Sequence, residues 1–397
     1  MKILFLLLFM PSILIAQERF KGQEPIKAVN TESKPITSQW KGVYRLGDIY
    51  VSNDFNGARV NAAELLDDGI IKITILPENQ PINQSPWYAL KIWSDSEKTI
   101  SIKLVYPENV KHRYDPKISS DSKVWSEKTG KAEKNEFHFT QTVSKKPILI
   151  ASQPLITSSE VEQWIKQLKA SKANSAGLTA SGKSIPVIEI GNKESKHKII
   201  VLGRQHPPEV TGHFALQHFV ETLTSKNTRD FRKKYHVLVF PLLNPDGVDG
   251  GHWRHNQGGV DLNRDWSDFN QPETKAVRDY LKARLKPTDI VHFAIDFHST
   301  HDDIYYTLDP KFKTNSPGLI DQWLTLLKSE IKDYDPNIKP LYFAPPTSTA
   351  YSYLYETYGA ESLVFEIGDK TPEEFIKKKS QKSAKIITRL LLQKIEK

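Results

Sequence analysis

The sequence predicts an α/β fold, a mixed and mainly parallel sheet with helices on both faces, preceded by an antiparallel β-sandwich. Three observations carry this reading. At 397 residues the chain is long enough for two domains of ordinary size. Its earlier part repeats apolar residues with a period of two, the mark of half-buried strands. Beyond about residue 156 strands alternate with helices, the order that builds parallel sheets.

Residues 1–16, MKILFLLLFMPSILIA, place one positive charge at Lys2 before an apolar run broken at Pro11 and Ser12, and end in a small residue. That pattern predicts a secretory signal cleaved after Ala16. A membrane anchor needs roughly 18–20 uninterrupted apolar residues. No later stretch has that length, so the mature chain is expected in a periplasm or outside the cell, without membrane contact.

Residues 17–155 are expected to form the β-sandwich domain. Ile71, Ile73 and Ile75 alternate with Lys72 and Thr74, and Tyr88, Leu90 and Ile92 repeat the pattern. Ile100, Ile102 and Leu104 follow, then Phe137 and Phe139, each run bounded by Asp, Asn, Gly or Pro. No catalytic cluster is visible there.

The second domain is expected over 156–397. Thr157 stands three residues before Glu160, a capping box, and Val161, Trp164, Ile165 and Leu168 follow at helical spacing. After a small, polar stretch from Ser171 to Ser184, strands are predicted at Ile185–Ile190, Ile199–Leu202, Val237–Leu242, Ile290–Asp296 and Leu363–Ile367. Helices are predicted near Gly212–Leu223, Glu273–Leu285, Pro317–Ile331 and Pro372–Ile395. Ligands of such sheets bind beyond the carboxyl ends of the strands.

Composition narrows the chemistry. The chain has no cysteine, which excludes disulfides, thiolate zinc sites and cysteine nucleophiles. The net charge of +8 is spread without a long basic block, so nucleic acid is not the expected partner. Nothing points to a particular oligomeric state. Catalysis must then use imidazoles, carboxylates, hydroxyls or a metal.

Strand ends carry such groups. His206-Pro207-Pro208-Glu209 follows the Ile199–Leu202 run, His298 follows the Ile290 run, and Glu366 lies within the last predicted strand. An imidazole and a carboxylate three residues apart, joined by two stiffening prolines, can converge on one point. With His298 they make a two-histidine, one-carboxylate set, which leaves zinc an open position for water. Taken alone, HxxE also occurs by chance and His298 also reads as a core histidine. Between these residues lie Asn244-Pro245-Asp246-Gly247, Arg254, and Asp261-Leu262-Asn263-Arg264.

This ordered set, from HxxE through NPDG, a lone Arg, D-x-N-R and a distal His to a late Glu, is similar to the M14 zinc carboxypeptidase family. The likeness runs from about Thr157 to the C-terminus, and the β-rich half before it resembles the cytosolic carboxypeptidase-like branch. The resemblance implies that His206, Glu209 and His298 bind one Zn²⁺ per chain, with Asp261 accepting a hydrogen bond from His206. It implies that Arg254 polarises the scissile carbonyl, that Asn263 and Arg264 hold the substrate's terminal carboxylate, and that Glu366 is the general base. The expected partners are peptide or protein C-termini. The chemistry suits these groups, because amide hydrolysis needs an activated water, positive charge at the developing oxyanion and, for exo-cleavage, a cation for a free carboxylate.

Many family members also bring a tyrosine from a loop upstream of the base. Here Tyr342, Tyr351, Tyr353 and Tyr355 compete for that part. Deglutamylating members of the cytosolic branch place a basic residue after a Thr-small pair, whereas Thr349-Ala350 is followed by Tyr351, which argues against a dedicated acidic pocket. His213, His218, His252, His255, His292 and His301 read as ordinary structural or loop histidines. Two other functions fit the same residues: an amidohydrolase acting on N-acyl amino acids, and a peptide- or glycan-binding protein that no longer turns over.

Overall fold

The computed structural model describes residues 28–343 and 345–395. The expected signal segment at 1–16 lies outside the described residues. Among those described, no helix is long and apolar enough to cross a membrane.

Residues 43–151 build two sheets. One has six strands in the order Val43–Leu46, Ile49–Ser52, Ala89–Ser94, Ile148–Ala151, Lys117–Ser119 and Ser126–Glu127. The other has five, in the order Ala62–Leu65, Ile71–Thr74, Lys98–Val105, Glu136–Val143 and Lys131–Glu133. Val51, Leu90, Ile92 and Ile150 from the first sheet share one buried cluster with Ile73, Ile102, Leu104 and Phe139 from the second, so the sheets face each other as a sandwich. The period-two runs are thus the inward faces. One pair departs from the antiparallel expectation: Ile71–Thr74 runs parallel to Lys98–Val105, because the long segment between them allows a crossover.

The rest of the chain builds an eight-stranded mixed sheet in the order Ser171–Leu178, Ser184–Gly191, His236–Phe240, His197–Gly203, Ile290–Thr300, Glu361–Gly368, Ile304–Thr307 and Ile338–Pro340. Its four central strands are parallel and the pairs flanking them are antiparallel, while the outermost Ile338–Pro340 runs parallel to Ile304–Thr307. Alternate residues of the His197–Gly203 strand serve different cores. Ile199 and Val201 pack with the helices Val210–Thr224, Leu319–Glu330 and Glu373–Ile395, while Ile200 and Leu202 pack with Pro272–Arg284 and Ala350–Tyr358. Helices therefore cover both faces, as the alternating pattern predicts.

Several elements differ from the sequence reading. Ser171–Leu178, which reads as a polar stretch, is an edge strand; ladder bonds to Ser184–Gly191 hold it, and an edge needs little apolar surface. Ile304–Thr307, Ile338–Pro340 and the helix Ala350–Tyr358 also appear where no element was predicted. The strand carrying His298 continues to Thr300.

The chain leaves the His197–Gly203 strand to build its neighbour His236–Phe240 on one side, then returns to build Ile290–Thr300 on the other. That reversal opens a crevice at the carboxyl ends, where sheets of this kind hold ligands.

Candidate active site

At this crevice the turn Arg204–Glu209 leads from strand to helix. Arg204 sits in the left-handed region at φ 54°, a costly conformation for a residue with a Cβ. Its buried guanidinium steadies the turn, donating from Nε to Pro207 O at 2.9 Å and from Nη2 to Ile156 O at 3.3 Å. Glu209 stands at the N-terminal boundary of the helix Val210–Thr224, its carboxylate turned to the imidazoles rather than to the helix N–H groups. The NPDG motif ties the neighbourhood together: Asn244 accepts from Gly247 N at 2.8 Å and donates to the carbonyls of Gln205 at 3.1 Å and His255 at 3.2 Å.

Strand periodicity places the distal groups. Phe293, Ile295 and Phe297 face one core, so Asp296 and His298 share the opposite face. Phe365 and Ile367 likewise point into that core, leaving Glu366 on the same side as His298, its direct partner in the parallel register.

His206, Glu209 and His298 are all buried, with one potential ligand atom from each lying within 4.8 Å of the others. Among the described residues no other group of three meets that test. Each imidazole has one nitrogen engaged outward: His206 Nε2 lies 2.9 Å from Asp261 Oδ1, and His298 Nε2 lies 2.8 Å from Asp296 Oδ2. With those nitrogens donating, each Nδ1 carries the lone pair. The two Nδ1 atoms face each other at 3.2 Å, and Glu209 lies 2.9 Å from His206 Nδ1 and 2.8 Å from His298 Nδ1. Facing lone pairs repel unless a cation lies between them, so this donor set fits a divalent metal of the zinc type.

The electrostatics agree. Burial pushes the Glu209 carboxyl up, but His206 and His298 outweigh it and hold Glu209 well below the usual carboxylate range. Burial lowers His298, yet Asp296 and Glu209 raise it well above an ordinary imidazole. The His298 ring thus sits where positive charge is favoured. For Glu366 burial dominates and drives the carboxyl up to about 8, with His298 opposing, Glu209 adding to it, Arg254 opposing and Asp296 adding. Its Oε2 is buried without a hydrogen-bond partner.

Arg254 is 9% exposed; its Nε donates to Asp261 Oδ2 at 2.8 Å and its Nη1 lies 3.8 Å from Glu209 Oε1. Asp261 therefore bridges the imidazole of His206 and the guanidinium of Arg254. Burial pushes the Asp261 carboxyl up, but Arg254 and His206 hold it well below its usual range. Asn263 Oδ1 accepts from Ala350 N at 2.9 Å, and Arg264 donates to Asn263 O at 2.8 Å while its guanidinium lies 5.6 Å from the centre of the Phe343 ring. A cavity of about 340 Å³ is lined by seven of the residues singled out from the sequence, His206, Glu209, Arg254, Asn263, Arg264, His298 and Glu366.

Of the four competing tyrosines, Tyr351 lines this cavity, as do Tyr306 and Phe343. Tyr353 packs against Trp266 and Phe269, and Tyr342 and Tyr355 meet Phe312. His301 also lines the cavity. Its acidic neighbour Asp303 is held by Gly368 N, Thr371 Oγ1 and Lys379 Nζ.

Sequence reasoning missed Asp296, although its position two before His298 on a strand was the signal. It also missed Gln205, whose Nε2 donates to Asp296 Oδ2 at 2.6 Å. Asn83, Gln84 and Arg113 bring the N-terminal region to the cavity wall, Arg113 being held by Asp369 Oδ2 and Ser85 Oγ, each at 2.8 Å. No local pattern marks those three.

A doubly covered mixed sheet with two imidazoles and a carboxylate at its switch point, flanked by a buried carboxyl and a buried guanidinium, defines a metal-dependent hydrolase class. Comparison with known proteins narrows the class. The zinc carboxypeptidase family profile, Peptidase_M14, matches residues 161–381, more than half of the sequence, and the chain belongs to that family. It is 30% identical over 118 residues to cytosolic carboxypeptidase 2 of Danio rerio, covering 28% of this chain and 16% of that protein. With cytosolic carboxypeptidase 6 of Caenorhabditis elegans it shares 39% identity over 92 residues, covering 22% and 20%. These matches span about a third or less of the curated relatives' own lengths. The metallo-carboxypeptidase of Burkholderia cenocepacia superposes with a TM-score of 0.71 at 18% identity, over 87% of this chain and 98% of that one. The metallo-carboxypeptidase of Pseudomonas aeruginosa, solved with (2-guanidinoethylmercapto)succinic acid, gives 0.70 at 17% identity over 86% and 98%. The fold is carboxypeptidase-like, and zinc is the metal this family uses.

Proposed function

We propose that this protein is a zinc-dependent metallocarboxypeptidase that hydrolyses the last peptide bond of peptides with a free C-terminus. The observation that carries the reading is the single cavity that joins the His206–Glu209–His298 group to Glu366, Arg254, Asn263 and Arg264. Zinc held by the two imidazoles and the Glu209 carboxylate supplies Lewis acidity and lowers the pKa of water to about 7.

The chain's own groups do the rest. Glu366, buried beside His298 and driven up to about 8 by that burial, would be ionised by the charge of a bound cation, and as a carboxylate it accepts the proton of the attacking water and passes it to the leaving amine nitrogen. Arg254, fixed by Asp261, donates to the carbonyl oxygen as it becomes anionic; a donor in an oxyanion hole is worth about 3 kcal/mol. Arg264 and Asn263 bind the terminal carboxylate, a planar fork against a planar anion, and so favour exo- over endo-cleavage. Phe343, whose ring centre lies 5.6 Å from the Arg264 guanidinium, and Tyr351 line the same cavity, which suits an apolar or neutral terminal side chain better than an acidic one.

The test compares peptides that differ only in a free or amidated C-terminus, with N-acyl amino acids as a third substrate. Cleavage of the free form alone, abolished by Glu366→Gln, supports the reading. Equal cleavage of the amidated form, or preference for acylated amino acids over tripeptides, overturns it in favour of an endopeptidase or a deacylase.

We further take the mature chain as two domains, 17–155 and 156–397, exported by the leader at 1–16 into a periplasm or the surroundings. The leader's charge, apolar run and small terminal residue support export. Terminal sequencing of the protein from its native source should begin at Gln17; an intact Met1 on a cytosolic protein contradicts it.

A further inference from the structure

Trp253, Arg254 and His255 run through a loop outside any helix or strand, so their backbone N–H groups need acceptors from elsewhere. All three find the same one. Trp253 N donates to Glu78 Oε2 at 2.7 Å, and Arg254 N and His255 N donate to Glu78 Oε1 at 3.0 and 2.7 Å. Glu78 belongs to the N-terminal region, just beyond the strand Ile71–Thr74, and is completely buried.

Its neighbours tighten the same loop. Asn79 accepts from His255 Nδ1 at 2.6 Å and donates to Gly259 O at 3.0 Å. Trp253 Nε1 donates to Trp87 O at 3.1 Å. Burial pushes the Glu78 carboxyl up, but His252, the N–H groups of Trp253 and His255, and Arg59 hold it below its usual range, so the charge is retained.

A long arginine side chain is aimed only if both of its ends are fixed. Asp261 fixes the Nε end of Arg254. The backbone end has no helix or strand to hold it, and Glu78 takes that part. We propose that Glu78 is the positioning residue for Arg254, so that the N-terminal β-region completes the catalytic site. This rests on the carboxypeptidase reading, in which Arg254 meets the scissile carbonyl. A carboxylate is needed because an amide offers a single acceptor oxygen and would turn an NH₂ toward one of the three donors.

The experiment is a double-mutant cycle on the full-length enzyme with an N-blocked peptide carrying a free C-terminus. Wild type, Glu78→Gln, Arg254→Ala and the double variant are compared for kcat, KM, zinc content and thermal midpoint. Glu78→Gln should keep about one zinc per chain and a KM within about threefold of wild type, while kcat falls roughly ten- to a hundredfold. In the Arg254→Ala background the same change should lower kcat less than about twofold, since there is no longer a guanidinium to misplace. Glu78→Asp should recover part of the loss. An equal fall in both backgrounds, or an unchanged kcat, overturns the proposal. If Glu78→Gln does not fold, Asn79→Ala is read through the same cycle with the same criteria. A wild type without peptidase activity, or an Arg254→Ala variant as active as wild type, would sink the carboxypeptidase reading instead.

Discussion

At the scale of single residues, the centre is specified by which nitrogen of each imidazole is occupied. Asp261 and Asp296 take the Nε2 atoms of His206 and His298 and leave both Nδ1 atoms facing Glu209. Replacing Asp296 by Asn should weaken zinc binding roughly ten- to a hundredfold, measured by competition with a chromophoric chelator. An unchanged affinity would show that Asp296 does not orient His298. Gly212 is equally constrained: a Cβ there would lie 2.3 Å from His298 O, a backbone atom that cannot swing aside. Gly212→Ala should therefore push the His298 strand, lowering stability by about 1–3 kcal/mol in denaturant titration and reducing zinc retention. The three residues proposed as ligands were legible because HxxE and a histidine after a strand are local patterns. Glu78 was not, since the residues it holds lie 175 or more positions away.

At the scale of elements, strands and helices with a clear apolar period were readable, and those without one were not. Ile71–Thr74 and Glu361–Gly368 bury alternating or continuous apolar faces. Ser171–Leu178 buries none of its residues fully, and its existence follows from tertiary pairing alone. The helix Ala350–Tyr358 was hidden by a tyrosine-rich sequence with no simple stripe. One helix start carries a measurable cost. Glu273, second residue of the helix Pro272–Arg284, is fully buried and receives a hydrogen bond from Asn256 at 2.8 Å on Oε2, while Oε1 has no partner. Burial chiefly, with Asp246 and Asp265 adding, raises its carboxyl from 4.5 to about 7. The folded protein holds this proton to higher pH than the unfolded chain does, so rising pH favours unfolding across that window. The loss amounts to about 3 kcal/mol and is complete above the folded value. Glu273→Gln should raise the thermal midpoint at pH 8 and leave it nearly unchanged at pH 5; an equal shift at both would exclude ionisation as the cause.

At the scale of the whole molecule, the two regions share structure rather than merely touching. Val210 and Trp253, from the catalytic part, pack within the core of the sandwich, and Gln153 Nε2 donates to Asp369 O at 3.1 Å. Calorimetry of the full chain should then show one cooperative transition, with a chelator lowering its midpoint because zinc binds only the folded state. Two well-separated transitions would contradict this shared core. A change of period near residue 155 was visible in the sequence, but the burial of Trp253 among residues of the sandwich was not, because periodicity within one segment carries no information about which surface covers it.

The central claim is that His206, Glu209 and His298 together hold one catalytic zinc. It is tested most directly by metal analysis of the purified protein beside single variants at the three positions and at Glu366. The account predicts about one zinc per chain in wild type and in Glu366→Gln, and a large loss in His206→Ala, Glu209→Ala and His298→Ala. Full zinc content in the His298→Ala variant would contradict it.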